Sequence, residues 1–331
     1  MNRYLIVYVI VWLAACKTAP VKTIGSIEPA GEGLQAIIRQ DARAEVIAEG
    51  FEWSEGPLWV PAENMLLFSD VLRNVVHKWT PGKGLEDYLR PSGYTGATPR
   101  GEELGSNGLL LDREGRLILC QHGDRRLTRM DAPLDQPAPR FVMLAAQYQG
   151  KKFNSPNDAV MRSNGDIFFT DPPYGMEQKE KSPARELPFH GVFKIDHRSG
   201  EVTLLTDTIT RPNGIALTPD ERTLIVANSD PAKAVWYLYD IAPNDSLVNP
   251  RILRNVTADA RCAPGLPDGL KVDRQGNIFA SGPGGIWIFN SSGVLLGKIR
   301  LPVPAANCAL AENDKVLYIT ADNYVLRVKM R

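Results

Sequence analysis

A polar residue followed by a short apolar run of β type recurs six times at near-constant spacing, and nothing else in the chain narrows its possible folds as much. The copies read Glu55-Gly-Pro-Leu-Trp, Asn107-Gly-Leu-Leu-Leu, Asn157-Asp-Ala-Val-Met, Asn213-Gly-Ile-Ala-Leu, Asp268-Gly-Leu-Lys-Val and Asn307-Cys-Ala-Leu-Ala. They lie 52, 50, 56, 55 and 39 residues apart, close to the period of about 40 to 50 residues that marks propeller blades. Most copies are followed by a turn and a second β run, such as Ser163-Asn-Gly and then Ile167 to Thr170. A turn between two such runs makes a hairpin. The chain has few amphipathic helical stretches, so the expected class is all-β.

Six copies imply a six-bladed β-propeller. The last copy has room for three strands only, and Ala44 to Phe51 is the natural donor of the fourth, closing the ring by pairing the two ends of the chain. A β-sandwich with coincidental Asn-Gly turns is the competing reading, and the common phase of six copies argues against it.

The first strand of a propeller blade lines the central channel, so the six polar residues face one axis. Glu55, Asn107, Asn157, Asn213, Asp268 and Asn307 offer carboxylate and amide oxygens, with no thiolate and no imidazole. All-oxygen ligation suits a hard divalent cation, Ca²⁺ first, with Mg²⁺, Mn²⁺ or Zn²⁺ as other occupants. Residues about fifteen positions further on return to the same mouth: Asp70, His122, Asp171, Asn228, Pro283 and Asp322. His122 exchanges a proton most readily near neutrality, and Asp171 is a second candidate acid or base. The charged stretch from Pro172 to Phe189 is a candidate lid, with Tyr174 placed to stack on a sugar ring.

Composition removes other functions. Lys and Arg number 38, as do Asp and Glu, and the sequence pI is about 6.9, so no net field draws the chain to nucleic acid or to acidic membranes. The apolar run Tyr4 to Ala15 is too short to span a bilayer but suits a secretory segment. It ends Leu13-Ala14-Ala15-Cys16, which resembles a bacterial lipobox. The expected organisation is a signal peptide over residues 1–15, a flexible tether from the lipidated Cys16 to residue 40, and a propeller over 41–331. The expected location is outside the cytoplasm, periplasmic or anchored to the outer membrane by that lipid alone. Cys120, Cys262 and Cys308 remain, enough for one disulfide whose pairing the sequence leaves open.

The motifs Glu55-Gly-Pro-Leu-Trp, Ser155-Pro-Asn-Asp, Phe169-Thr-Asp-Pro-Pro-Tyr-Gly, Arg211-Pro-Asn-Gly and Pro267-Asp-Gly resemble those of the gluconolactonase/regucalcin (SGL) family over residues 45 to 331. The Asp-Pro-Pro-Tyr-Gly run is similar to its bacterial gluconolactonase branch. The resemblance implies a six-bladed propeller that holds a divalent cation, usually Ca²⁺, and hydrolyses lactones. It implies Glu55, Asn213 and Asp268 as metal ligands, Asn157 as a fourth ligand or substrate contact, and Asp268 also as proton donor or acceptor. The animal branch has an Arg where this chain has Ser155, which leaves Arg211 or Arg100 to take the sugar contact, beside Asn107, Asn157 and Tyr174. Two rival functions stand beside lactone hydrolysis of sugars: a non-catalytic propeller with a structural cation, and a lactonase or phosphotriesterase acting on a non-sugar substrate. No G-x-S-x-G motif points to a serine hydrolase.

Overall fold

The computed structural model describes residues 21–331; the apolar run up to Ala15 and Cys16 lie outside them. Six antiparallel sheets follow one another along the chain, and each copy of the polar motif supplies the first strand of one sheet. The first blade runs Ser54–Val60, Met65–Asp70, Val75–Thr80 and Gly84–Leu89. The third runs Ala159–Met161, Ile167–Asp171, Gly191–Ile195 and Val202–Thr206. In the sixth blade Asn307–Ala311, Val316–Ala321 and Tyr324–Lys329 are completed by Ala44–Glu49 from the other end of the chain. Glu49 pairs with Tyr324 and Glu45 with Arg327, where the Arg327 guanidinium donates twice to the Glu45 carboxylate at 2.6 and 2.8 Å. The six blades and their closing strand are therefore as the repeat predicts.

The core is a ring of six apolar layers, one between each pair of neighbouring blades. Alternation along a strand sends successive side chains to opposite faces. Phe168 thus packs towards the fourth blade with Val226 and Val235, while Phe169 packs towards the second with Cys120 and Leu127. Burying such a ring or a Leu stabilises the fold by about 1.5–3 kcal/mol each, so every blade depends on both of its neighbours.

The described part of the expected tether is not a tether. Thr23–Ile24 pairs with the closing strand, Ser26–Pro29 pairs with Leu295–Arg300 of the fifth blade, and Leu34 and Ile38 are buried in the layer between the fifth and sixth blades. These strands are two and four residues long, too short to show a period. Ser26–Pro29 and the Leu34 to Ile38 turn are held by partners more than 200 residues away. Cys120, Cys262 and Cys308 are all free, the first and last buried, so the possible disulfide does not form among them. Burial pushes the Cys308 thiol up to about 12.

Candidate active site

At the polar residues the inner strands leave regular pairing. The ladder slips between Glu55 and Leu58, between Ser106 and Leu109, and between Pro212 and Ile215. A bulge of this kind re-aims a side chain out of the sheet, here towards the axis. The glycine after the polar residue serves the same geometry. A Cβ on Gly56 would stand 2.0 Å from the Asn107 carbonyl oxygen, and one on Gly214 would stand 2.2 Å from that of Asp268. The Glu55-Gly and Asn213-Gly pairs are points of close approach between inner strands, not turns.

A cavity of about 530 Å³ opens where these residues meet, and Glu55, Asn107, Asn157, Asn213 and Asp268 line it. Asn307, the sixth ring position, does not. Its Oδ1 accepts the Cys308 N–H at 2.8 Å and the Lys271 ammonium at 3.3 Å, its Nδ2 points to Asp158 at 3.5 Å, and its side chain lies near enough to Glu55 to favour that carboxylate. Asn213 donates its amide nitrogen to Ser229 Oγ at 2.9 Å, which leaves its oxygen for the cavity.

The floor is electrostatically unfinished. Glu55 is 1% exposed, and Asp268 is half-buried in the cavity wall with its Oδ1 covered. Burial pushes the Glu55 carboxyl up, with Asp158 adding to the effect. Burial also pushes Asp268 up, and Glu55, Glu103 and Asp158 reinforce it. Asn107 Oδ1, Asn157 Oδ1 and Asp268 Oδ1 are buried without a hydrogen-bond partner, a costly state that calls for a missing partner. Among the described residues no three His, Cys, Asp or Glu side chains form a metal cluster; the donors are two carboxylates joined by amide oxygens. That set fits a hard divalent cation, which would balance both charges and satisfy the partnerless oxygens.

The sequence matches the SMP-30/Gluconolactonase/LRE-like region over residues 53–323. The chain belongs to this family. A gluconolactonase from Zymomonas mobilis is 39% identical over 315 residues, which cover 93% of this chain and 87% of the relative. The pentonolactonase XacC of Haloferax volcanii is 26% identical over 251 residues, 75% of this chain and 73% of its own length. Among solved structures, a gluconolactonase from Xanthomonas campestris superposes with a TM-score of 0.79 at 28% identity, covering 96% of this chain and all of the other. The calcium-binding regucalcin of Agrobacterium tumefaciens shares the fold, at TM-score 0.65 and 17% identity, over 86% of this chain and 94% of its own.

Within this family framework the residues expected at the rim take other places. Asp171 does not line the cavity: it is fully buried and accepts the Asn154 N–H at 2.8 Å, the Ser155 N–H at 2.7 Å and the Asn154 amide at 3.0 Å. Burial pushes its carboxyl up to about 7 against these donors. Asp70 likewise accepts the Glu52 and Trp53 N–H groups, and Asn228 that of Arg211. The second strand of a blade ends beside the segment leading into the first, so its last polar residue ties down that backbone. His122 is buried behind Asn157 and touches it at 3.3 Å. Arg211 binds Glu180 at 2.8–2.9 Å rather than facing the cavity, and Arg100 donates to the carbonyls of Gly123 and Gly175 while its guanidinium lies over Tyr94. Ser155, at the animal branch's Arg position, bridges Pro172 O and the Gly175 N–H.

Tyr174 does line the cavity, and burial pushes its hydroxyl well up. Three polar lining residues escaped sequence reasoning: Glu103, Lys179 and Ser229. Glu103 and Lys179 sit on irregular connections outside the repeat, and only their charge inside a connection at the mouth could have marked them. Ser229 follows the rim residue Asn228 and was one position out of phase. One wall, of Ala260, Ala263, Pro264, Leu266, Pro304 and Ala305, is apolar.

Proposed function

We propose that this protein is a divalent-cation-dependent hydrolase of sugar lactones, with Ca²⁺ the cation best matched to its oxygens. The observation that carries the reading is the convergence of Glu55, Asp268 and the partnerless oxygens of Asn107 and Asn157 on one cavity, in a chain 39% identical to a gluconolactonase. Glu55, Asn157, Asn213 and Asp268 would hold the cation, which when bound supplies Lewis-acid polarisation of a carbonyl oxygen.

The chain's own residues do the rest. Asp268 takes the proton of the attacking water and returns it to the ring oxygen as the C–O bond breaks. Tyr174 and Lys179 cover the mouth from the 172–190 connection, and Asn107 offers an amide to the substrate hydroxyls. The apolar wall supports a second substrate reading, a lactone carrying an apolar substituent. We also propose that the protein is exported and lipidated at Cys16, on the strength of the Leu13-Ala14-Ala15-Cys16 sequence; loss of palmitate incorporation in Cys16→Ser tests this.

The deciding assay is acid release from glucono-1,5-lactone and from alkyl-substituted lactones, with EDTA and with Ca²⁺ added back. Hydrolysis should stop on chelation and return with Ca²⁺. Activity indifferent to chelation sinks the cation, and inactivity on every lactone sinks the hydrolase.

A further inference from the structure

Among the described residues His122 is the one imidazole beside the cavity floor, yet it lacks a path to substrate. It is fully buried, and Asn157 stands between it and the cavity. Gly175 closes it from the lid side, since even a Cβ there would lie 2.5 Å from the Cβ of His122. Ser155, which bridges the turn carrying Gly175, fixes that cover in place. Two polar groups face the ring: Asn157 Nδ2 lies 3.3 Å from Nε2, and the Glu103 carboxylate lies 3.5 Å from Nδ1, a charge contact that makes no hydrogen bond.

These two neighbours determine each other's chemistry. The Asn157 amide faces Nε2 with its NH₂ at 3.3 Å, so Nε2 accepts and Nδ1 carries the ring proton, on the side of the Glu103 carboxylate. Nε2 is then a lone pair, and a lone pair can face only the NH₂ of the Asn157 amide. The amide is thereby held with Oδ1 turned the other way, where it is buried without a partner. With the opposite tautomer, Nε2–H would capture Oδ1 and turn the NH₂ into the cavity, where it would repel a cation. Asn213 has the same arrangement by simpler means, its NH₂ fixed by Ser229 Oγ at 2.9 Å.

We propose that His122 and Glu103 are a positioning pair that selects the orientation of the Asn157 amide and so sets the affinity of the site for its cation, with no proton carried by His122 to substrate. This rests on the cation reading given above. Groups behind metal ligands that fix their orientation are typically worth about 10–100-fold in affinity.

Ca²⁺ binding to the full-length protein, measured by calorimetry, tests it. His122→Phe keeps a planar aromatic ring but removes the acceptor, and should weaken Ca²⁺ at least about 10-fold. His122→Gln, whose Oε1 can still accept from the amide, should recover most of that loss. In an Asn157→Asp background the ligand has two equivalent oxygens and no NH₂, so orientation ceases to matter and His122→Phe should then cost little. Activity of His122→Phe should return at saturating Ca²⁺, whereas loss of a proton carrier would persist. Nitrogen NMR of the wild-type protein should show the neutral Nδ1–H tautomer, a readout that needs no variant to fold.

The proposal is overturned by an Nε2–H tautomer, by wild-type affinity in His122→Phe, by a Gln variant no better than Phe, or by an equal loss in the Asn157→Asp background. Absence of Ca²⁺, Mg²⁺ and Mn²⁺ binding by the wild-type protein overturns the cation reading, and this proposal with it, before any substitution is made.

Discussion

Asp171 and Asp268 are aspartates at the same end of the propeller, the first fully buried and the second half-buried, and their surroundings give them opposite work. Asp268 Oδ1 has no hydrogen-bond partner and lines the cavity; Asp171 is consumed by the backbone of Asn154 and Ser155. Asp268→Asn should therefore lower kcat by at least about 100-fold, the scale for losing a group that acts in the transition state, with thermal stability kept. Asp171→Asn should cost about 1–3 kcal/mol of stability while kcat per folded molecule stays within a few-fold. Equal losses of kcat in both variants would reject the division of roles. The pH dependence of metal affinity belongs to the same residues. In the metal-free protein Glu55 and Asp268 are raised above the ordinary carboxylate range, so binding must displace protons. Affinity should rise with pH through the neutral range and flatten once both groups are ionised, and calorimetry in buffers of different ionisation enthalpy should report proton release. A pH-independent affinity across that range would contradict it. Five ring residues were legible because each sits at one phase of a repeat. The roles of His122, Asp171 and Ser155 were not, because they depend on which neighbouring backbone or amide fills the space behind the strand end.

The lid is the element on which sequence and structure differ most usefully. Arg211 was expected to meet substrate, yet its guanidinium is spent on Glu180 of the 172–190 connection, with both side chains 35% exposed. An exposed pair of this kind stabilises by about 1 kcal/mol or less. Its effect is local: it ties the connection bearing Tyr174 and Lys179 to the fourth blade. Arg211→Ala and Glu180→Ala should then raise KM by the same modest factor, with the double variant no worse than either. A larger effect of Arg211→Ala alone would restore it as a substrate contact. The repeat made the strands readable, and the hairpin Ala159–Met161 with Ile167–Asp171 stands nearly where its Ser-Asn-Gly turn placed it. Connections outside the repeat carry no phase, which is why Glu103 and Lys179 went unnoticed. The N-terminal pieces failed for a related reason: Leu34 and Ile38 are anchored by a layer assembled from Phe279, Ile286 and Ile319, residues that only the closed ring brings near.

Across the whole molecule the candidate cation site joins what the blades keep apart. Glu55 comes from the first blade, Asn107 from the second, Asn157 from the third, Asn213 from the fourth and Asp268 from the fifth, while Asn307 of the sixth lies beside Glu55 and favours its carboxylate. The ring is shut by pairing residues 45 and 327, so loosening at the axis is shared by every blade. This gives a crossing in thermal stability. Without metal, Glu55 is a buried acid whose charge disfavours that of Asp268 in the cavity wall. Glu55→Gln removes that acid and keeps an oxygen to accept the Gly56 N–H now held by Glu55. Metal-free Glu55→Gln should melt at or above metal-free wild type at pH 8, where the wild-type pair is most nearly ionised. Ca²⁺ at about 100 times its Kd stabilises a native state by about 2.7 kcal/mol, so wild type should gain several degrees and overtake the variant, which should barely respond. Calorimetric scans of both proteins, with EDTA and with Ca²⁺, read the crossing directly. Equal Ca²⁺ shifts in the two proteins would remove Glu55 from the site, and a metal-free variant much less stable than wild type would mean that its carboxylate holds the first blade to the sixth rather than waiting for a cation.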